Sequence, residues 1–415
     1  MPGSALYFQF YSNNKTCVNI RVKPLFMKKK SIYHLDKPLV KTVFDQIFEY
    51  LHKKYHIRYN TMSHTCDIKP IHSKKWEVVN TASLYIELSQ NNIKTSLKNV
   101  EMYLKSHLVE KFDPIENYFS HLPDWDGTDY ISEYVSYIDF KELDLAIYHF
   151  KKWMVRAVKC ALIDGYANKQ CFVLYQKAQN KGKTTWIRNL CPEELSDYIA
   201  EDIGFDKDSR VSLTRNMLVN LDELGLASKS AINNYKSFLS KTQINERLPY
   251  DRLYSIIARR ASLLASTNDN DFLNDPTGSV RWLCFEIIGE IDFSYKDNVD
   301  INMLWAQAYH LAFKDDEFYA EMTPEDIKLN EIRNKKYFNQ SSEFELIDKY
   351  FTKTNSIEDF KTATDVINLL SFTDAKLNHI SAGKALSALG YEKVKHSKLQ
   401  AYGYLASFKS NQKLQ

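Results

Sequence analysis

The residue types best suited to do chemistry together stand at Gly182-Lys183-Thr184-Thr185. A nucleoside triphosphate needs backbone amides to cradle its phosphates, a cation for the β- and γ-phosphates and a hydroxyl for Mg²⁺. Lys183 suits the second task and Thr184 the third, at the N-terminus of a helix that favours an anion. Gln179, Asn180, Lys181 and Thr185 complete the ATP-binding loop. In the full G-x-x-x-x-G-K-[ST] pattern the first glycine falls at Lys177, so only the second half of the pattern is present. Non-glycine residues must then turn the loop. Asn180 tolerates left-handed geometry best and is expected to make the sharp turn.

A second constellation lies 39 residues after Lys183. Asn216–Glu223 reads as a short apolar strand that delivers two adjacent acids, Asp222 and Glu223, at its C-terminal end. Phosphoryl transfer to water needs one carboxylate to hold magnesium and another to polarise the attacking water. Asp222 suits the first role and Glu223 the second. Ala258–Asn268 reads as a third strand, whose polar end puts the Asn268 amide beside the γ-phosphate or simply makes a strand-terminal turn. After Pro276-Thr277-Gly278, Arg281 sits on a turn-strand edge. From there it can reach a neighbouring subunit's nucleotide as an arginine finger, or serve as a surface ion-pair residue.

These groups need an α/β frame, and the pattern supplies one. Cys171–Tyr175 is a run of strong strand bias, the loop follows, and Trp186–Leu190 is helix-like. Tyr148–Leu162 has apolar positions at helical spacing and should pack on that strand, with Trp153 in the packing; Arg156 could approach a nucleotide, but the sequence does not say so. Trp125-Asp126-Gly127, near two prolines, marks a boundary. Upstream, Phe44, Ile47, Phe48 and Leu51 share a helical face. Strands at His56–Asn60 and Thr65–Ile68 and helices at Ser83–Ser89 and Leu97–His107 complete a small α+β module. Its Lys53, Lys54, Lys74 and Lys75 beside Trp76 suit nucleic acid or a solvated face.

Between the second and third strands, Lys241, Arg247, Tyr250 and Arg252 form a basic-aromatic group on a loop or hairpin. In a ring ATPase it would face the central channel and grip DNA; subunit contacts are the alternative. Asn302–Lys314 and Thr323–Tyr337 are helical and form a lid, with Pro324 at a first helical position. From Ser341, helices at Glu343–Phe351, Thr364–Leu370 and Ser381–Leu389, a Gly390 cap and a hairpin of Tyr391–Lys395 with Gln400–Ala406 read as a winged helix. Lys384, Lys393, Lys395 and Lys398 would then touch DNA phosphates, unless this winged helix binds protein. The expected organisation is an arm over 1–40, the α+β module over 41–112, a helical lead-in over 113–170, an ATPase core over 171–290, a lid over 291–340 and the winged helix over 341–415.

Composition narrows the classes. With 415 residues, several domains are expected. A net charge of +3 selects no partner by itself, so a nucleic-acid surface has to be local. The six cysteines are scattered without a C-x-x-C pair, which argues against a zinc site or disulfide framework and for a reducing cytoplasm. No apolar run is long enough for a membrane span, and the first ten residues do not read as a signal peptide.

With these residues quoted, the chain resembles the virulence-associated E family of phage and mobile-element proteins. That family is similar to superfamily 3 helicases within the AAA+-type P-loop ATPases. The resemblance covers roughly residues 40–340. It rests on Trp125-Asp-Gly127, Gly182–Thr185, Leu221–Glu223, Arg247-Leu-Pro-Tyr250, Ser266-Thr-Asn268 and Thr277–Trp282, in that order. It implies Lys183 and Thr184 on phosphate and magnesium, Asp222 and Glu223 as the Walker B acids, Asn268 as sensor 1 and Arg281 as the finger. The family's usual Arg-Arg pair is Val280-Arg281 here. The N-terminal primase domain of some members has no room before residue 112.

The reading is an ATP-hydrolysing DNA helicase or translocase acting in replication of a phage or mobile element. The resemblance implies a ring, expected as a hexamer, on single-stranded or forked DNA, with a possible replication-protein partner. The alternative is a nucleotide-switched DNA-binding adaptor with little unwinding; an occluded Arg281 in a monomer would favour it.

Overall fold

The computed structural model describes residues 7–11, 17–21, 41–179, 181–222, 224, 229–247, 254–270, 272–273, 279–338, 341–373, 375–397 and 399–409. Among these, residues up to Leu224, Asn233–Asn268 and Arg281–Pro324 form one compact unit, and the remainder form a second.

The first unit opens with an antiparallel pair, β1 (Tyr7–Tyr11) and β2 (Cys17–Arg21). A small module follows: α1 (Val43–Lys54), β2's successors β3 (Tyr55–Asn60), β4 (Thr65–Pro70) and β5 (Glu77–Val78), then α2 (Thr81–Gln90), α3 (Leu97–Leu104) and β6 (Glu110–Phe112). Thr42 and Asp45 form a capping box at the start of α1, and Lys53 and Lys54 complement its C-terminal dipole. The sheet order is β5-β4-β3-β6. Alternate residues Tyr55, Ile57 and Tyr59 face the core made by Ile47, Leu51, Leu88, Val100 and Tyr103 of the helices.

Next come α4 (Pro114–His121), α5 (Tyr130–Ser136), β7 (Ile138–Phe140) and α6 (Leu143–Leu162). Trp125-Asp126-Gly127 is a turn that feeds α5: Asp126 accepts the Thr128 amide and the Tyr130 hydroxyl, each at 2.9 Å. The main sheet is then built from β8 (Cys171–Tyr175), β9 (Ile199–Glu201), β10 (Leu218–Leu221), β13 (Ser262–Thr267) and β14 (Trp282–Ile291). Its order is β7-β14-β8-β13-β10-β9, parallel from β14 to β9 and antiparallel at β7. The strands β10 and β13 are buried along their whole length, as parallel strands covered on both faces must be.

Helices α7 (Lys183–Asn189), α8 (Lys207–Arg215), α9 (Lys229–Ser240), α10 (Tyr295–Asn298) and α11 (Ile301–Phe313) lie between or after these strands. The rings of Trp186 on α7 and Tyr134 on α5 stack at 4.6 Å, and the Trp305 indole on α11 donates to the Leu190 carbonyl at 2.8 Å. These contacts lock α7 to the helices behind it. The hairpin β11 (Gln243–Glu246) and β12 (Ser255–Ala258) leaves the main sheet, with its turn outside the described residues.

Two strand boundaries differ from expectation. Ala258 ends β12 rather than starting the next strand, and Arg259, Arg260 and Ala261 separate it from β13. The Arg259 guanidinium is fully buried and donates to the Ala261, Phe238, Leu239 and Asn168 carbonyls at 2.9, 2.9, 2.9 and 3.0 Å. Satisfying it this way takes the chain out of the ladder and pins the C-terminal end of α9. Likewise Ser279–Arg281 is a single 3₁₀ turn, so the strand expected from Arg281 begins at Trp282.

The second unit holds α12 (Pro324–Asn334), α13 (Ser342–Tyr350), β15 (Phe351–Lys353), β16 (Phe360–Lys361), α14 (Ala363–Leu369), α15 (His379–Ala388), β17 (Lys393–His396) and β18 (Ala401–Phe408). Strand β18 pairs antiparallel with each of the other three. Ile347, Phe351, Val366, Ala382, Leu386 and Ala406 make its core. Gly390 at φ 77° ends the α15 segment. Among the described residues no helix is long and apolar enough to cross a membrane.

Candidate functional site

The carboxyl ends of β8, β13, β10 and β9 lie side by side, with Tyr175 opposite Thr267, Ala265 opposite Leu221 and Asn220 opposite Glu201. The residues leaving those ends therefore meet in one crevice, the place where open parallel sheets bind ligands.

The loop after β8 starts by tying itself to its neighbours. The Gln176 amide donates to the Thr267 carbonyl at 3.1 Å, and its side chain donates to the Gly289 carbonyl at 2.8 Å. Gln179 and Lys181 are exposed. Asn180, expected to make the turn, lies outside the described residues, as does Glu223. Gly182 carries left-handed geometry, φ 91°, directly before α7. The positive φ favours glycine there, and a Cβ would stand 2.3 Å from Cζ of Phe293, the outer end of a half-exposed ring that would have to swing aside.

Lys183, the first residue of α7, is only 6% exposed. Its Nζ donates to Oδ1 of Asn268 at 2.5 Å and to the Ala178 carbonyl at 3.3 Å. Burial pushes the lysine pKa down, and the nearby Asp222 carboxylate works against that shift. Asp222 is the hub of the cluster. The Thr184 hydroxyl stands 3.0 Å from both of its oxygens, and the Ser266 hydroxyl donates to Oδ1 at 2.5 Å. The Asp222 amide in turn donates to Oδ1 of Asp202 at 2.7 Å.

Asp202 directly follows β9 in left-handed geometry, φ 45°. One residue earlier, Glu201 accepts from Asn220 at 2.7 Å and from Arg188 of α7 at 2.9 Å, which braces α7 against β9. Thr185 lines a cavity of about 560 Å³ with Arg188, Asn189, Lys296, Asp300 and Asn302.

Lys183, Thr184, Asp222 and Asn268 are thus brought together. Arg281 is not part of that group: its Nε donates to the Ser240 hydroxyl at 3.1 Å. On the hairpin, Arg247 is exposed at the end of β11, and Lys241 precedes it with Nζ 5.8 Å from the Phe238 ring. Tyr250, Arg252 and Lys398 lie outside the described residues. Lys384 is exposed on α15; Lys393 and Lys395 are exposed on β17, 5.7 and 6.0 Å from the Tyr402 ring. Sequence reasoning missed Asp202, Ser266 and Phe293. The first had a signal, because Ile199-Ala-Glu-Asp202 is another short strand ending in acids.

The family model of the virulence-associated protein E-like domain matches residues 119–339, which is 221 of the chain's 415 residues. The segment begins within α4, ends just after α12 and contains the whole cluster; the module over 41–112 precedes it. Among solved structures, the apo structure of the NrS-1 C-terminal region (305–718) is similar at a TM-score of 0.49 and 10% identity. It covers 89% of this chain and 100% of that one. An A form of the apo region is similar at a TM-score of 0.47 and 11% identity, with 87% and 98% covered. No curated protein matches. The matched domain takes up more than half of the chain, in line with the motif resemblance, and the chain belongs to the virulence-associated protein E-like family.

Proposed function

We propose that this chain hydrolyses ATP to move along DNA, as a replicative helicase or translocase of a phage or mobile genetic element. The observation that carries the reading is the meeting of Lys183, Thr184, Asp222 and Asn268 at the carboxyl ends of adjacent parallel strands. In this reading the α/β core is a P-loop ATPase core. Lys183 exchanges its two carbonyl acceptors for β- and γ-phosphate oxygens. Asn268, released from the lysine, bonds the γ-phosphate or the attacking water. Glu223 orients that water and accepts its proton as the water oxygen bonds phosphorus and ADP leaves in line. Arg281 of a neighbouring ring subunit completes the site, with a hexamer as the expected ring.

Thr184 and Asp222 fit Mg²⁺, which takes one or two protein ligands and the rest from phosphates and water. Among the described residues no group of three or more His, Cys, Asp or Glu side chains forms a fuller cage. Bound there, Mg²⁺ supplies neutralisation of charge on the β- and γ-oxygens.

For DNA, the β11–β12 hairpin offers Arg247, with Lys241 at its base; Tyr250 and Arg252, outside the described residues, complete the proposed group. Tyr254 and Ile256 beside the hairpin's turn are 72% and 69% exposed, which suits a surface that grips a strand. The second unit serves as a winged helix, with Lys384, Lys393, Lys395 and Lys398 on phosphates. One observation favours the adaptor reading instead: Arg281 is engaged by Ser240 of its own chain.

The test is ATP turnover with single-stranded, duplex and no DNA, in wild type, Lys183→Ala and Glu223→Gln, with folding checked by circular dichroism. Turnover stimulated by single-stranded DNA and lost in both variants is expected. Persistent hydrolysis in both sinks the assignment. Tight ATP binding with turnover that is slow and indifferent to DNA moves it to the adaptor.

A further inference from the structure

The module over 41–112 holds a second constellation that the ATP cluster does not use. Its helices cover one face of the β5-β4-β3-β6 sheet through Ile57, Tyr55 and Tyr59. The intervening residues, His56 and Arg58 on β3 and Lys69 on β4, point to the opposite face, where His56 pairs in register with Lys69. There the Arg58 guanidinium lies between two rings, 4.0 Å from the Trp76 centroid and 3.5 Å from that of Phe112. Asp67 fixes it through Nε at 3.2 Å, and the Lys69 ammonium stands 4.8 Å from the Trp76 ring. A cavity of about 380 Å³ opens beside them, with Glu110 the one acid in its lining.

Charge concentrates in the same module. Residues 41–112 contain eleven Lys and Arg against seven Asp and Glu, net +4, while the whole chain carries +3. Of these, Lys74 is exposed beside Trp76, whereas Lys53 on α1 and Lys111, in register with Tyr59, belong to the helix-covered side.

We infer that this face of the 41–112 sheet is a binding platform for single-stranded nucleic acid, separate from the ATP cluster and from the hairpin. The face combines what an unpaired strand needs: aromatic surface for bases and cations for the phosphates between them. A duplex offers the phosphates but hides its base faces, so unpaired strands are the better match. The Trp76–Arg58–Phe112 stack is already ordered by Asp67, so little side-chain freedom remains to be lost on binding. The inference does not depend on ATP chemistry, and nucleotide-free protein suffices to test it.

The test is fluorescence anisotropy of a labelled oligothymidylate of about twenty nucleotides, long enough for one such platform, with the full chain and no nucleotide. Trp76→Ala is expected to weaken binding about 5- to 150-fold, the range of one lost stacked base, and Lys69→Glu at least about 5-fold by reversing a charge at the phosphates. Trp76→Phe should retain binding within a few-fold, and Lys69→Ala should lower the salt slope by about one. Loss confined to Arg247→Ala, with the Trp76 and Lys69 variants within about twofold of wild type, assigns binding to the hairpin and overturns the inference. Equal losses on duplex DNA overturn it too, as does polyglutamate competing as well as the oligonucleotide at equal charge. If Trp76→Ala fails to fold, the outcome for the surface change Lys69→Glu decides alone.

Discussion

Lys183 and Asn268, 85 residues apart in the chain, meet with Nζ 2.5 Å from Oδ1. The contact partner of this buried cation is a neutral amide, which satisfies a donor without cancelling its charge. Asp222, the acid that does act on the lysine, is bonded instead by Thr184 and Ser266. The hydrogen-bond partners therefore leave the ammonium's charge uncancelled; burial lowers its pKa and the Asp222 carboxylate partly opposes that shift.

Asn268→Asp should convert that contact into an ion pair that competes with phosphate. The expected result is ATP affinity reduced at least about tenfold, since a close charge pair in a partly buried site is worth a kilocalorie or more. Asn268→Ala should leave affinity within a few-fold and lower turnover instead. Titration calorimetry with a slowly hydrolysed ATP analogue separates the two; unchanged affinity in Asn268→Asp removes the electrostatic argument.

Gly182→Ala meets two obstacles, the positive φ of 91° and the Phe293 ring 2.3 Å from the new Cβ. Together they should cost about 1–3 kcal/mol of stability. Phe293→Ala in the same chain should recover part of that loss, because it removes the ring and leaves the backbone strain. Calorimetric unfolding of the four proteins of this cycle gives the coupling. A double variant no more stable than Gly182→Ala would assign the whole cost to the backbone.

A pH test probes the frame behind the site. Asp129 accepts from Lys151 on α6 at 2.6 Å, from Gln307 on α11 at 2.7 Å and from Ser132 on α5 at 2.7 Å. Burial alone would raise its pKa, but these hydrogen bonds bring it down to about 2. The folded state thus holds this proton less tightly than the unfolded chain, whose aspartates titrate near ~3.9. The stabilisation is present above that value and is lost as pH falls toward about 2. Asp129→Asn should lower the Tm at neutral pH by several degrees, and the gap from wild type should close on acidification. A gap of the same size at both ends of the range would rule out the carboxylate charge as its source.

The strands that carry the cluster are legible because their signals are local. Cys171–Tyr175 and Leu218–Leu221 are unbroken apolar runs, and polar residues follow each at once. Between the second and third strands the sequence reads only as a loop or hairpin carrying Lys241 to Arg252, and the largely polar run Gln243–Glu246 gives no strand signal of that kind. The insertion of β13 between β8 and β10 is a long-range pairing with no local mark, and it alone brings Ser266 to Asp222. Phe293 over Gly182 is hidden for the same reason. The boundary at Ala258 was obscured by chemistry: an arginine in sequence suggests an edge, whereas Arg259 is buried on carbonyl oxygens. Asp202 shows the converse, a local acid signal whose partner is a backbone amide twenty residues away.

Arg281 separates the motor from the adaptor. Its Nε bonds the Ser240 hydroxyl at 3.1 Å, at the end of α9, and a finger must leave that contact to reach a neighbour's nucleotide. An exposed bond from a guanidinium to a neutral hydroxyl is worth about 1–2 kcal/mol, small enough for assembly to break. A finger is worth about 10³–10⁵ in turnover, so Arg281→Ala should be nearly inactive. Mixing Arg281→Ala with Lys183→Ala should restore part of the activity, because some interfaces then pair an intact Lys183 with an intact Arg281. Ser240→Ala, which frees the arginine, should leave turnover intact or raise it. If mixing restores nothing and Arg281→Ala hydrolyses as wild type does, Arg281 is a tie within its own chain, and the adaptor reading stands.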